Sequence, residues 1–261
     1  MRLAVHAEWT KLRTLSSTAW LLLAVVVCTV AIGALVSVGT SCPTAACGQD
    51  PARLSLTGIY LGQAVVAILA VLTISAEYGS GMVRTTLSAV PDRLTVLAAK
   101  AVVLTGLVLS AGGLAVLGSV VAGRLFLSDS GWRADGSGQH LTVLSLTAGP
   151  TVRAAVGSVL YLVLIALLSL GIATAVRDSG AAIGCVLGLL YLFPILAAVI
   201  SDPELQRHLR QIAPMSAGLA VQATVNLTSL PIGPWPGLGV LAAWAAGAML
   251  LGALVLRRRD A

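Results

Sequence analysis

Three histidines, four cysteines and ten carboxylates are the side chains of this 261-residue sequence best suited to chemistry. Their spacing builds no reaction centre. His6, His140 and His208 stand far apart, in the N-terminal segment and in polar loops, where solvation is their ordinary state. No H-E-x-x-H sets two histidines on one helix face for zinc, and no G-x-S-x-G lifts a serine onto a strained turn for acyl transfer. A G-x-x-x-x-G-K-[ST] loop, whose backbone N–H groups would cradle nucleotide phosphates, is also absent from the sequence. Cys28 and Cys185 fall in apolar stretches as small fillers. Cys42 and Cys47 share a loop on the expected oxidising side, and their spacing permits a disulfide or two free thiols. The residues imply neither an enzyme nor a metal centre.

The most informative charged pair is Glu77 and Arg93, which bracket EYGSGMVRTTLSAVPDR. Gly79-Ser80-Gly81 ends the preceding apolar run, because glycine is a poor residue for a helix interior. Met82, Val83, Leu87 and Val90 then recur at helical spacing, and Pro91 stops the pattern. A short helix with an apolar stripe follows, and its own chain offers nothing evident to bury it. Such a helix either rests on the lipid surface or docks into a cytoplasmic partner, and the spacing leaves both open. Glu77 reads as an interface charge opposite Arg84 or Arg93. Gly180, Gly184 and Gly188 line one face of a later apolar segment, which suits close helix approach within the chain or against another subunit. Pro194 should kink the same segment.

These groups must be carried by membrane helices. Hydrophobic residues make up 57% of the chain and Asp, Glu, Lys and Arg only 10%, with mean hydropathy +0.97. A soluble domain carries about 25% charged residues, so a soluble enzyme or a nucleic-acid binder is a poor fit. The uncharged windows are Thr14–Gln49, Leu54–Ala76, Ala101–Gly123, Ala154–Val176, Ser179–Ser201 and Gln211–Leu256. About 20 apolar residues cross the hydrocarbon core as a helix, and every backbone group in lipid must be satisfied within its own segment. Strand-like alternation is missing. The expected fold is all-α, a polytopic membrane protein of one transmembrane domain, with spans at about 19–38, 54–76, 98–123, 154–176, 180–201 and 235–256.

Ion-coupled carriers usually hold charges at mid-membrane, and none falls inside these windows. Six spans put both termini on one side. With that side cytoplasmic, ten of the sixteen Lys and Arg residues lie inside, as the positive-inside tendency requires. The net charge of +6 thus reflects orientation rather than a nucleic-acid surface. Residues 1–16 read as an amphipathic interface helix with Val5, Trp9 and Leu12 on one face and Glu8, Lys11 and Arg13 on others. Trp9 and Trp20 are its expected interface anchors. Residues 77–97 form the main inner loop. The outer segment 202–234 starts as a short amphipathic helix through Leu205, His208, Leu209 and Ile212, then turns back toward the outer leaflet. Arg outnumbers Lys fourteen to two, a composition suggestive of a GC-rich bacterial genome.

Four stretches carry a resemblance: AEWTKLRTLSSTAW, ISAEYGSGMVRTTLSAVPDRLTVLAAK, APMSAGLA, and PWPGLGVLAAWAAG with the terminal RRRDA. Together with six spans they resemble the permease subunits of ATP-binding-cassette type-2 transporters, over most of the chain. The resemblance implies a bacterial cytoplasmic-membrane exporter subunit with no cofactor of its own. ATP and Mg would sit on two separate cytoplasmic ATPase subunits, and a second, identical or different permease chain would complete the assembly. Met82, Val83, Arg84, Thr86 and Leu87 would then belong to a coupling helix, with Glu77 and Arg93 as the charges of its loop. Gly180, Gly184 and Gly188 would lie near the interface of the two permeases. The competing expectations are an ATP-independent carrier or channel and a non-transporting anchor or sensor subunit.

Overall fold

Each uncharged window contains most of one long helix. The computed structural model describes residues 2–14, 16–40, 50–80, 92–129 and 149–258. Every regular element among them is helical. An N-terminal helix α1 (Arg2–Thr14) leads into α2 (Ser16–Gly39). A short α3 (Pro51–Ser55) precedes α4 (Ile59–Ser80) and α5 (Arg93–Asp129). Then come α6 (Gly149–Val176), α7 (Ser179–Val199), the short α8 (Pro203–Ile212) and α9 (Pro214–Gly218), and α10 (Pro234–Arg258). Helices α2, α4, α5, α6, α7 and α10 are long and apolar enough to cross a membrane, the framework of a multi-pass membrane protein. We call the end holding α1 and the C-terminus of α10 proximal, and the opposite end distal.

Local chemistry sets the boundaries. Asp50 caps α3 by accepting from the backbone N–H groups of Ala52 and Arg53, with Pro51 at the first helical position, where no N–H is needed. Asp178 and Asp202 cap α7 and α8 in the same way. Between α6 and α7, Arg177 takes a left-handed conformation, φ 65°. Its guanidinium lies 5.2 Å from the ring centre of Tyr78, a cation–π contact tying this proximal turn to the end of α4.

Helix α6 forms the centre, packing against α4, α5, α7 and α10. Fifteen of its residues are buried, including Tyr161, Leu162, Ile165, Leu168 and Leu170. Lipid tails are as apolar as leucine, so these contacts are held by close packing rather than by exclusion of water. Glycine allows it: at Gly171 the α6 backbone meets the α10 backbone at Ala248 and Met249, and Gly252 meets the carbonyl of Gly171. Helix α7 buries only one stripe, Ala182, Val186, Leu190 and Ala197.

Three sequence-based expectations change. The second long helix starts at Ile59, after the separate α3, rather than near residue 54. The third extends back to Arg93 rather than starting near residue 98, and Glu77, expected at the start of the inner loop 77–97, lies within α4. Helix α1 turns Ala4, Glu8 and Leu12 inward and leaves Trp9 43% exposed, so Glu8 is on its buried face. Burial of Glu8 reverses the simple polar-out reading because partners for its charge wait on α4 and α5.

Candidate functional site

At the proximal end, Glu8 of α1, Glu77 of α4 and Lys100 of α5 are each 3–6% exposed. The Lys100 ammonium donates to Glu8 Oε2 at 2.7 Å and to Glu77 Oε1 at 2.7 Å. Lys11, on the rim of the same cluster, reaches Glu8 Oε1 at 3.0 Å and Glu77 Oε1 at 2.9 Å. Among the described residues two cations and two anions alternate, so their formal charges cancel. Isolated charges here would face a desolvation penalty of several kcal/mol each, and only mutual pairing at hydrogen-bond distance offsets it. The chain has just two lysines, and both are in this cluster, as are two of its three glutamates. A compact ammonium with three donors can bridge two carboxylates in a narrow gap, where the flat fork of arginine fits less well.

Burial by itself would disfavour the Lys11 ammonium, but hydrogen bonds to Glu77 and Glu8, with their negative charges, outweigh it and raise its pKa. A raised cationic pKa means the tie is complete below the ordinary lysine value and fades only as pH climbs through the raised one. The cluster therefore stays intact across the physiological range as far as Lys11 is concerned.

Arg93 reaches the last long helix. Its Nη1 donates to the carbonyl of Leu256 at 3.0 Å, near the C-terminus of α10, where unsatisfied carbonyls favour a cation. Glu77, for its part, pairs with Lys11 and Lys100. The expected partner Arg84 lies outside the described residues. Asp92 caps α5: it accepts from Leu94 N at 3.2 Å and from the Thr95 hydroxyl at 2.6 Å. That hydroxyl bond lowers the pKa of the exposed Asp92 carboxyl. The two described helix ends that flank residues 81–91 are both anchored: α4 is held through Glu77 and Tyr78, α5 through Arg93 and Lys100.

Met82, Val83, Arg84, Thr86 and Leu87 lie outside the described residues, as do Cys42 and Cys47. Gly180, Gly184 and Gly188 are all exposed on α7, and a Cβ at Gly184 or Gly188 would meet nothing within 4 Å. Among the described residues nothing packs against that face at Gly184 or Gly188. Cys185, on the same helix, is also exposed, and Cys28 is half-buried. Among the described residues no group of three His, Cys, Asp or Glu could hold a metal ion.

A second polar assembly fixes the distal end. The expected turn back after α8 is a buried structure: Pro214, Met215, Ala217 to Gln222 and Ala223 pack among α6, α7 and α10. The Tyr161 hydroxyl donates to Gln63 Oε1, and Gln63 Nε2 lies 3.3 Å from the Met215 sulfur. Asp50, besides capping α3, accepts from Thr224 N, from Thr224 Oγ1 at 2.6 Å and from Val225 N at 3.1 Å. Arg153 Nη2 donates to the Ala223 carbonyl at 2.6 Å. One carboxylate therefore holds two segments about 170 residues apart. Asp50→Ala removes an N-cap and three charge-assisted bonds, and is expected to destabilise the distal end by about 2–4 kcal/mol. Amide exchange across residues 219–230 should accelerate at least tenfold; unchanged exchange there would refute the clamp.

Neither assembly was legible as such. The i, i+3 spacing of Glu8 and Lys11 signals a local pair, yet nothing in sequence connects it to residues 77 and 100. Gln63, a lone amide in an apolar run, and Gln222 are the visible signs of buried polar contacts near the distal end. Compared with known proteins, the chain matches no family model and no curated sequence.

Among the described residues, each carboxylate of the proximal cluster is paired with both lysines. Its geometry suits a mechanical role, since moving α4 or α5 axially would disturb ion pairs that also hold α1.

Proposed function

We propose that this chain is the membrane-spanning permease subunit of an ATP-driven exporter in a bacterial cytoplasmic membrane. The observation that carries the reading is the proximal charge cluster, because it anchors both helix ends that flank residues 81–91. A force delivered to that segment by a cytoplasmic ATPase would pass into α4 and α5 together, and through Glu8 into α1. A floppy loop would dissipate it. Resemblance of the sequence to type-2 ATP-binding-cassette permeases supports the same assignment. In this reading two ATPase chains hold the ATP and Mg, and this chain does no hydrolysis. A second permease chain completes the path, and the exposed Gly180, Gly184 and Gly188 face of α7 offers a surface where helix backbones could meet closely. Met82, Val83, Arg84, Thr86 and Leu87 form the contact with the ATPase, and the termini face the cytoplasm.

Leu87→Asp tests the reading. Burying a leucine in a partner's groove contributes about 1.5–3 kcal/mol, and a carboxylate there would add a desolvation cost. ATP-dependent transport in vesicles containing the permease and the Walker-motif ATPase encoded beside it should fall at least tenfold, with insertion unchanged. Normal transport by the variant with the ATPase bound would remove Leu87 from the coupling contact. Failure of the wild-type chain to co-purify with any such ATPase would remove the assignment itself.

A further inference from the structure

At the distal end, two arginines from segments remote in sequence line one cavity. Arg53 of α3 and Arg210 of α8 both border a cavity of about 460 Å³, together with Tyr60, Ser216 and Ser229. A neighbouring cavity of about 540 Å³ shares Arg53, Tyr60, Ser229 and Leu230 with it, so the two form a continuous groove. Among the described residues neither guanidinium makes an ion pair. Asp50 is the one carboxylate bordering the groove, and both its oxygens are already engaged by Ala52, Arg53 N, Thr224 and Val225. The Ser216 hydroxyl borders the groove as well, and its oxygen is buried without a hydrogen-bond partner. Positive charge and hydroxyl groups thus gather around an open space, and among the described residues no carboxylate pairs with either guanidinium.

We propose that this groove binds a phosphate-bearing anion between Arg53 and Arg210. Guanidinium matches phosphate oxygens in pairs, and two guanidiniums suit a tetrahedral group with several acceptor oxygens better than a single carboxylate. Tyr60 and Ser216 add neutral hydroxyls around it. The remaining wall is apolar, and Pro194 and Ala197 place part of it on α7, whose neighbouring Leu192, Ile195, Leu196 and Val199 are exposed. A phosphate attached to an acyl chain can therefore seat its headgroup at the arginines while its chain runs along α7. Lipid headgroup and free phosphate share the chemistry, and the experiment separates them.

The full-length protein in neutral detergent is titrated with dioctanoyl phosphatidylglycerol, dioctanoyl phosphatidylcholine and inorganic phosphate, with binding read by native mass spectrometry and by the shift in unfolding temperature. Saturable binding of phosphatidylglycerol at least tenfold tighter than phosphatidylcholine is expected. In the Arg53→Gln/Arg210→Gln protein that preference should disappear, while Arg207→Gln, an exposed arginine of α8 outside the groove, should keep it. Equal saturable binding of inorganic phosphate, lost in the same double variant, would also support the site and identify free phosphate as sufficient. No saturable binding of either phosphate probe to the wild-type protein would overturn the proposal. So would a preference for the anionic lipid that survives in a folded double variant. If the double variant does not fold, the single variants Arg53→Gln and Arg210→Gln take its place: each should weaken phosphatidylglycerol binding but not phosphatidylcholine binding, and a full preference kept by both would overturn the proposal.

Discussion

Replacing Lys100 by methionine is expected to destabilise the protein by about 3–5 kcal/mol, the usual cost of removing one partner from a buried ion pair. Methionine fills much of the space of lysine, so the loss isolates charge rather than volume. Glu8 and Glu77 would remain 5% and 6% exposed, with only the rim residue Lys11 still shown bridging them. Equilibrium unfolding in mixed detergent micelles measures the effect. Adding Glu8→Gln and Glu77→Gln to Lys100→Met should restore at least half of the loss, because the stranded charges are then gone. A cost below about 1 kcal/mol for the single variant, with no recovery in the triple one, would show that the cluster does not hold the three helices. Lys100→Arg is a second discriminator: it keeps the charge, yet the planar fork cannot occupy the same point between two carboxylates, and a clear loss is expected there as well.

The crossing of α6 and α10 carries the other large expectation. A Cβ on Gly171 would stand 2.5 Å from the carbonyl carbon of Ala248 and 2.6 Å from the nitrogen of Met249, both backbone atoms that cannot swing aside. Gly171→Ala should therefore cost about 1–3 kcal/mol through overpacking, and Gly171→Leu more. Helix propensity alone predicts the reverse, since alanine is better than glycine in a helix interior by about 1 kcal/mol. The sign of the change thus separates the two effects. Gly184→Ala is the internal control: nothing lies within 4 Å of its added Cβ, so within a single chain only the propensity gain applies. A stabilised Gly171→Ala protein would mean that the two backbones do not touch.

Both expectations bear on the proposed transport role. The proximal cluster ties α1, α4 and α5 by charge, and the Gly171 crossing ties α6 and α10 by shape. Arg93, reaching the carbonyl of Leu256, joins the two groups. Motion entering through residues 81–91 would thus meet helices that move as connected bodies.

Six long apolar helices were readable in the sequence because lipid imposes a length and a composition on each one separately. Local capping was readable for similar reasons: Asp50-Pro51 and Asp202-Pro203 announce helix starts without help from the rest of the chain. The sequence likewise set Glu8 and Lys11 three residues apart on one helix and put glycine at 171, 184 and 252. What it did not contain was which of these would be used. Glu8 looked like part of a solvated face until α4 and α5 brought Glu77 and Lys100 against it. Gly180, Gly184 and Gly188 formed the conspicuous glycine stripe, yet close packing within the chain falls at other glycines, Gly171 and Gly252 among them. Arg53 and Arg210 looked like two unrelated surface charges and border one groove. In each case the deciding quantity is a distance between segments remote in the chain. Periodicity and composition act through neighbours along one helix, whereas ion pairing, backbone contact and cavity formation depend on which helices stand side by side, and only the tertiary structure decides that.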